Sequence, residues 1–232
     1  MASSSSTVRR ALWAASTVAL LVFGVVVEQV MTTGALVRYD RRTAQNISHG
    51  KFFQIMIGRA PHVGRWVEPS RAVTVFGDAR FIAALAIGAG LLLLTIKRPR
   101  AALFVVGATF SGVLLDLVVR SYIGGVRPAM PSPFSFASQD GMPSGHALDA
   151  TVCFGAIVLV CLPHLPIAAR ILVAAAAGAL VAAVAVSRVI LLTHYASDVI
   201  GGVALGLAWV FALAALFEPW DERSESMSGA IT

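Results

Sequence analysis

Six long apolar segments limit the folds open to this chain more than any other feature of its sequence. They cover residues 11–37, 72–96, 101–119, 147–162, 171–192 and 199–217. One helical span needs about 20 apolar residues to cross the hydrocarbon core of a bilayer, and the third and fourth segments approach that length only when flanking polar residues are included. Only 13% of the residues are charged, whereas soluble domains are typically about one quarter charged. The sequence therefore predicts an all-α, polytopic membrane protein with six transmembrane helices in a bundle.

Two parts of the chain lie outside the predicted spans. Residues 38–71 form a polar connection with seven Lys and Arg residues, and both an interfacial amphipathic helix around 51–57 and a simple surface loop fit this stretch. Residues 221–232 are predicted to be a flexible tail. The composition predicts one membrane domain over residues 1–232.

Charged and polar side chains collect in three fragments of the otherwise apolar chain. The fragments are Arg120 with Arg127-Pro128, then Pro143-Ser144-Gly145-His146, then Ser187-Arg188 with His194 and Asp198. Charged groups are unfavourable in a membrane, so a set of them indicates a functional site. In a bundle of six antiparallel spans with short turns, all three fragments fall at one membrane face. Further charges fall toward the same face, namely Glu28, Asp78, Arg80, Asp116 and Asp149.

The distribution of basic residues indicates which face this is. Arg9, Arg10, the short connection 97–100 and Arg170 mark the cytoplasmic side by the positive-inside rule. The basic residues of 38–71 argue for the opposite orientation. The short connection weighs more because it crowds three basic residues into four positions. We therefore expect the three fragments at the extracytoplasmic face.

The net charge of +6 favours anionic partners. In a membrane protein these are anionic lipid headgroups and anionic substrates. Nucleic acid is not expected, because no soluble basic module remains once the apolar segments are set aside. The oligomeric state is left open.

The cysteine and histidine residues do not indicate a metal site. Cys153 and Cys161 lie eight positions apart in one apolar segment, so a helix separates them by about 12 Å and no disulfide is expected between them. The chain has no His-Glu-x-x-His pattern and no Cys/His cluster. His49, His62 and His164 are interpreted as loop residues, and we expect neither a metal ion nor a cofactor.

The arginines and the start of the fourth span are suited to binding phosphate. Guanidinium groups match phosphate oxygens with paired hydrogen bonds and stay charged, which makes Arg120, Arg127 and Arg188 candidate ligands. Asp116 lies one helical turn before Arg120 and is expected to hold it. The fragment 143–146 is typical of a helix start, where free N–H groups bind phosphate. Taken singly, each arginine would be interpreted as a snorkelling interfacial residue and Ser144 as an ordinary cap.

The two histidines and the aspartate suggest covalent catalysis. His194 and Asp198 are four positions apart, so a helical turn brings them within hydrogen-bonding range. A carboxylate there orients the imidazole, and His194 is then able to attack phosphorus and form a phosphohistidine. His146 is the candidate acid that protonates the leaving oxygen and the base that later activates water.

These fragments resemble the signature of the type-2 phosphatidic acid phosphatase superfamily, the lipid phosphate phosphatases. That signature reads Lys-x6-Arg-Pro, Pro-Ser-Gly-His and Ser-Arg-x5-His-x3-Asp, and the only departure is Arg120 in place of Lys. The resemblance covers about residues 72–217 and implies a six-helix bundle with an extracytoplasmic site. It implies His194 as nucleophile, Asp198 as its orienting partner and His146 as acid and base. It also implies phosphate ligands at Arg120, Arg127, Ser144, Gly145 and Arg188.

The resemblance also suggests substrates and alternatives. Members of the family dephosphorylate phosphatidic acid, phosphatidylglycerophosphate or polyprenyl diphosphates, and the short loops look like those of bacterial members. A lipid phosphotransferase with the same phosphohistidine is the alternative enzyme. Vanadium haloperoxidases share the motif but are soluble, and a non-enzymatic transporter is the remaining alternative. The sequence thus predicts a metal-independent lipid phosphate or diphosphate phosphatase in a bacterial cell membrane.

Overall fold

The chain is helical throughout the part of it that the structure, a computed structural model, describes. Those residues are 2–49, 64–123, 141–191 and 193–218. The helices are α1 (Ala2–Met31), α2 (Ala35–His49), α3 (Gly64–Thr74), α4 (Ala79–Thr95), α5 (Pro99–Ile123), α6 (Gly145–Cys161), α7 (Ile167–Ile190) and α8 (Ala196–Phe217). Short 3₁₀ turns at Val75–Gly77 and Leu162–His164 follow α3 and α6. The prediction of an all-α fold is confirmed.

Five of the helical segments are long and apolar enough to cross a membrane. They are Ser6–Met31, Pro99–Ile123, Gly145–His164, Ile167–Ile190 and Ala196–Phe217. A sixth span is formed when Val67–Gly77 and Ala79–Thr95 are taken together, although they meet at an angle of 48°. The protein is therefore an integral membrane protein, with the predicted six spans when this bent pair counts as one.

The break in the second span lies at Gly77 and Asp78, inside the predicted segment 72–96. Asp78 adopts an extended backbone, and its side chain accepts a hydrogen bond from the backbone N of Arg80, so it caps α4. A Cβ atom on Gly77 would lie 2.8 Å from the backbone O of His146 and 2.7 Å from a methyl carbon of Val184. Glycine is therefore needed where this turn packs against the bundle. The prediction of a span at 72–96 did not include this break, because an apolar run does not reveal a cap.

The first span is shorter than the predicted segment 11–37. Helix α1 ends at Met31, Thr33 has a φ of 52°, and the backbone N of Gly34 donates to the O of Gln29. This closing pattern is a common helix terminus. A new helix begins at Ala35, and its buried residue Val37 is apolar, so the predicted segment ran past the true end of α1.

Helices occupy the described parts of the polar connection 38–71. Helix α2 runs through residue 49, so His49, interpreted as a loop residue, ends a helix instead. Helix α3 takes up the other end of the connection. The predicted interfacial helix around 51–57 and the flexible tail at 221–232 lie outside the described residues.

Glycines hold α6 and α8 close together. A Cβ on Gly202 would lie 2.6 Å from the backbone O of Ser144, and one on Gly206 would lie 3.0 Å from the O of Leu148. The two glycines are four positions apart and share one helix face, as in close membrane-helix pairs. The contact point moves from Ser144 to Leu148 on one side and from Gly202 to Gly206 on the other. Helices α6 and α8 therefore run in the same direction, and their starts lie side by side.

The remaining long-range contacts fix the direction of the other helices. Arg100, at the start of α5, donates to the backbone O of Phe217 at the end of α8. On α1, Ser16 donates to the O of Ala208, and Arg9 approaches Glu218. Helices α1 and α5 are therefore antiparallel to α8. The described members of the three polar fragments consequently lie at one end of the bundle, as the sequence predicts.

Apolar side chains fill the bundle between its two ends. The buried set includes Phe104, Leu148, Val152 and Val210. Cys153 is buried, Cys161 is exposed, and both thiols are free, as predicted from their spacing.

Candidate active site

Four helices bring the predicted site residues together at one end of the bundle. Arg120 lies in the last turn of α5, His146 in the first turn of α6, and Arg188 in the last turn of α7. His194 lies in the connection to α8, and Asp198 in the first turn of that helix. His146 is within electrostatic reach of Arg120, Arg188 and His194. The prediction for Arg127 falls outside the described residues.

The start of α6 is held against the start of α8 by the backbone. The N–H of Ser144 donates to the O of Asp198 at 3.0 Å. Ser144 occupies the N-cap position, as predicted, but its side chain makes no capping hydrogen bond. Its hydroxyl is buried and has no hydrogen-bond partner among the described residues. The interpretation of Ser144 as an ordinary cap is therefore wrong for the hydroxyl, which caps no N–H of α6.

Arg120 is held by a carboxylate one turn earlier. Its Nη2 lies 2.5 Å from Oδ2 of Asp116, as predicted from the spacing. A Cβ on Gly145 would lie 2.5 Å from that Nη2 and 2.7 Å from Asp116 Oδ2. Only a glycine at this position lets the charged pair lie directly against the start of α6. Asp149, one turn into α6, is within electrostatic reach of both members of the pair.

Arg188 is buried and turns the chain toward His194. Its Nη1 donates to Oγ1 of Thr74 at 3.0 Å, and its backbone O accepts from the N–H of Thr193 at 3.0 Å and of His194 at 3.3 Å. A guanidinium taken out of water is stabilised by an anion bound in the same place. Thr74 was missed by sequence reasoning, because a threonine in an apolar stretch carries no mark of a site.

His194 and Asp198 form a buried pair. Nδ1 of His194 lies 3.6 Å from Oδ2 of Asp198, which is within ion-pair range and beyond a normal hydrogen bond. The same Oδ2 accepts from the backbone N of Tyr195 at 2.9 Å. Catalytic hydrogen bonds are often long without substrate and tighten when it binds. The predicted pairing is present, although the predicted hydrogen bond between the two side chains is not formed.

Burial lowers the pKa of His194 below its ordinary value, while Asp198 acts against this shift. A lowered pKa keeps the imidazole neutral near pH 7. The carboxylate beside Nδ1 favours the tautomer that carries its proton there. Nε2 then keeps a lone pair, which is the form required of a nucleophile.

Two further features complete the surroundings of His146. Asp78 is within electrostatic reach of both His146 and Arg188, and Gly77 packs against the backbone of His146. The sequence marks Asp78 only as a charge on this face. Its capping position and the need for its adjacent glycine are visible only in the structure. In the described part of the chain, no group of three or more His, Cys, Asp or Glu side chains is arranged to hold a metal ion.

Comparisons with known proteins show which family the chain belongs to. The model of the PAP2 superfamily matches residues 101–221, slightly more than half of the chain. Phosphatidylglycerophosphatase B of Bacillus subtilis (strain 168) is 34% identical over 112 residues, which cover 47% of this chain and 53% of that protein. The match thus spans about half the length of this relative.

A solved structure shares the fold. It is the crystal structure of a transmembrane PAP2 type phosphatidylglycerolphosphate phosphatase from Bacillus subtilis, which superposes with a TM-score of 0.75. The match covers 90% of this chain and 98% of that chain at 23% sequence identity. The resemblance inferred from the three fragments is confirmed, and the chain belongs to the PAP2 superfamily.

Proposed function

We propose that this protein is a membrane-embedded lipid phosphatase that works through a phosphohistidine on His194. The observation that carries the proposal is the buried pair of His194 and Asp198, within electrostatic reach of Arg188 and Arg120. A nucleophile, its orienting carboxylate and a fixed positive charge are the groups that phosphoryl transfer requires.

The phosphate is held by positive charge and by the start of α6. Arg120 and Arg188 supply guanidinium groups, the Ser144 hydroxyl supplies a hydrogen bond, and the backbone at Gly145 allows close approach. Arg127 is proposed as a third arginine on the strength of the motif alone. Because the charge comes from arginines, we expect activity without an added metal ion.

The reaction proceeds in two displacements. Nε2 of His194 attacks phosphorus, the bond from phosphorus to the lipid oxygen breaks, and His146 gives its proton to that oxygen. Asp198 stabilises the positive charge on the phosphorylated imidazole. His146 then takes a proton from water, the resulting hydroxide attacks phosphorus, and the nitrogen–phosphorus bond breaks. Inorganic phosphate leaves and His194 regains its lone pair.

Phosphatidylglycerophosphate is the proposed substrate. The Bacillus subtilis relative and the Bacillus subtilis crystal structure that this chain resembles are both named for this lipid. A phosphomonoester on a glycerolipid suits an anion site at the end of a bundle of spans. Phosphatidic acid and polyprenyl diphosphate also end in a phosphate group. They are therefore the substrates to compare with phosphatidylglycerophosphate.

A panel of the three lipids tests this function. The purified full chain is incubated with each lipid in detergent, with and without a metal chelator, and free phosphate is measured. We expect release from phosphatidylglycerophosphate that the chelator does not prevent and that His194→Asn abolishes. Release from none of the lipids would contradict the proposal. Transfer of the phosphate to an added alcohol, in place of water, would identify a phosphotransferase.

We propose that the site faces the outside of a bacterial cell membrane. The basic residues Arg9, Arg100 and Arg170 lie at the opposite end of the bundle, which supports a cytoplasmic location for that end by the positive-inside rule. Tyr122, 82% exposed at the site end, and Ile96, 56% exposed at the other end, are suitable labelling positions. In a background with Cys161→Ala, an impermeant maleimide should label Tyr122→Cys on intact cells and leave Ile96→Cys unlabelled. The reverse pattern would contradict this orientation.

A further inference from the structure

A buried carboxylate outside the motif reaches the helix that carries Asp198. Asp40 on α2 is only 2% exposed, although its neighbours Tyr39 and Arg41 are exposed. Its Oδ1 accepts from the backbone N of Ser197 at 3.3 Å, and its Oδ2 accepts a short hydrogen bond from the Ser197 hydroxyl. Ser197 is completely buried. This contact joins the polar connection of the chain to the first turn of α8.

The contact supplies an acceptor that the start of α8 needs. The first N–H groups of a helix have no partners within the helix. The Asp198 carboxylate accepts a hydrogen bond from the N–H of Tyr195, and the Asp40 carboxylate accepts one from the N–H of Ser197. Two carboxylates from different helices therefore share the capping of α8. The helix dipole at this end also favours negative charge, which helps to stabilise the buried Asp40.

The hydrogen bonds that Asp40 and Asp198 accept at the start of α8 affect how Asp198 is placed beside His194. Ser197 immediately precedes Asp198, and Oδ2 of Asp198 is the atom that faces His194. Without the Asp40 carboxylate, the buried donors of Ser197 would lose this acceptor, which is unfavourable. The first turn would relax toward another acceptor. Asp198, the carboxylate next in sequence, would then be drawn away from His194.

We propose that Asp40 is a positioning residue, which fixes the first turn of α8 so that Asp198 faces His194. This inference rests on the proposed function, because its importance for turnover depends on His194 being the nucleophile. It makes α2, a helix outside the three motif fragments, part of the catalytic apparatus.

A second tie onto α8 provides the matched control. Ser16 on α1 donates to the backbone O of Ala208 at 2.8 Å, and Ser16 is also buried. This bond joins an N-terminal helix to α8 as the Asp40 contact does, but it lies about ten residues further along α8. Ser16→Ala therefore removes a buried tie to the same helix without touching its first turn.

Kinetics of the full-length variants separate positioning from general support. We expect Asp40→Asn to lower kcat by about 10- to 100-fold with KM within about twofold, the range found when partners behind a reactive group are removed. Ser197→Ala, which keeps the backbone bond, should lower kcat less. Ser16→Ala should keep kcat within about twofold even if its Tm falls. Equal losses of kcat in Asp40→Asn and Ser16→Ala, or a normal kcat in Asp40→Asn, would overturn the proposal.

A readout independent of turnover distinguishes this proposal from the proposed function. Histidine is labelled with ¹³C at Cε1, and the His194 resonance is identified by its loss in His194→Asn. Asp40→Asn should move this resonance and its titration, whereas Ser16→Ala should leave both in place. If the wild type released no phosphate but Asp40→Asn still moved the resonance, the positioning role would stand without the phosphatase. If the wild type releases phosphate but Asp40→Asn leaves the His194 resonance in place, the positioning role alone would be overturned.

Discussion

The two ends of the bundle differ in how far their charged side chains are buried. At the end away from the site, Arg9 is half-exposed beside Glu218, and Arg100 and Arg170 donate to backbone carbonyls. Positive charge near the last carbonyls of a helix is favourable, and water still solvates these groups. The site end instead buries its charged and titratable groups, among them Asp40, Asp116, Arg188, His194 and Asp198. The same helices thus end in two different electrostatic environments.

Folding stability alone does not explain why charge is buried at the site end. An exposed ion pair contributes about 0–1 kcal/mol. Each buried charge loses on the order of several kcal/mol of hydration free energy, even after the protein relaxes around it. Its partners offset only part of this loss. Burial of charge at only one end is therefore the pattern expected where a bundle binds a ligand. Substitutions at the two ends should differ sharply in their effect on turnover.

The largest effect is expected at His194. His194→Asn removes the nucleophilic nitrogen while keeping a side chain of similar polarity, so turnover should fall at least about 10⁴-fold, as for nucleophiles in other covalent enzymes. Phosphate release is measured at saturating lipid, with Tm as the check on folding. His164, in the turn at the opposite end, provides the control, and His164→Asn should stay within about twofold. Turnover of His194→Asn above a few per cent of wild type would contradict the nucleophile assignment.

Asp198→Asn should have the next largest effect. We expect kcat to fall by about 10²–10⁴, as for other carboxylates that orient a catalytic histidine. The pH dependence gives a second test. Burial lowers the pKa of His194, so the wild type should lose kcat/KM only as pH falls below the ordinary histidine value of about 6.5. Since Asp198 raises the pKa of His194, its replacement should move this acid limb to still lower pH. An acid limb that moves upward would contradict the pairing.

Arginines at the two ends allow the most direct comparison. Arg188→Ala should lower kcat/KM by about 10²–10³, because a charge-assisted contact to the transferring phosphoryl group is lost. Arg100→Ala, at the opposite end, should remain within about twofold. Both are measured on phosphatidylglycerophosphate at matched detergent. Comparable losses in the two variants would remove the distinction between the ends.

The smallest effect is expected at Ser144. Its buried hydroxyl makes no hydrogen bond to a described residue, so Ser144→Ala should leave Tm nearly unchanged and lower kcat/KM by about tenfold, the worth of one hydrogen bond to a charged group. Ser111, which accepts from Trp209 between α5 and α8, gives the opposite pattern. Ser111→Ala should lower Tm and spare kcat/KM. A stability loss in Ser144→Ala with normal kinetics would show a structural hydroxyl.

Sequence reasoning identified the parts of this molecule that rest on composition and motif spacing. Apolar runs predicted the spans, and the pairing of Asp116 with Arg120 followed from helical periodicity. The break at Gly77 was missed because Gly77 and Asp78 interrupt the hydropathy too briefly. Asp40 was missed for a different reason. It lies among Tyr39, Arg41 and other polar residues, and only the packing of α2 on α8 shows which of them points inward.

A search for the phosphoenzyme is the sharpest test of covalent catalysis by His194. The purified chain is mixed with ³²P-labelled phosphatidylglycerophosphate, quenched in base within milliseconds, digested and mapped by mass spectrometry. We expect label that is stable in base, labile in acid and located on His194, and none in His194→Asn. Phosphate release by the wild type without any such intermediate, or label that persists in His194→Asn, would contradict it.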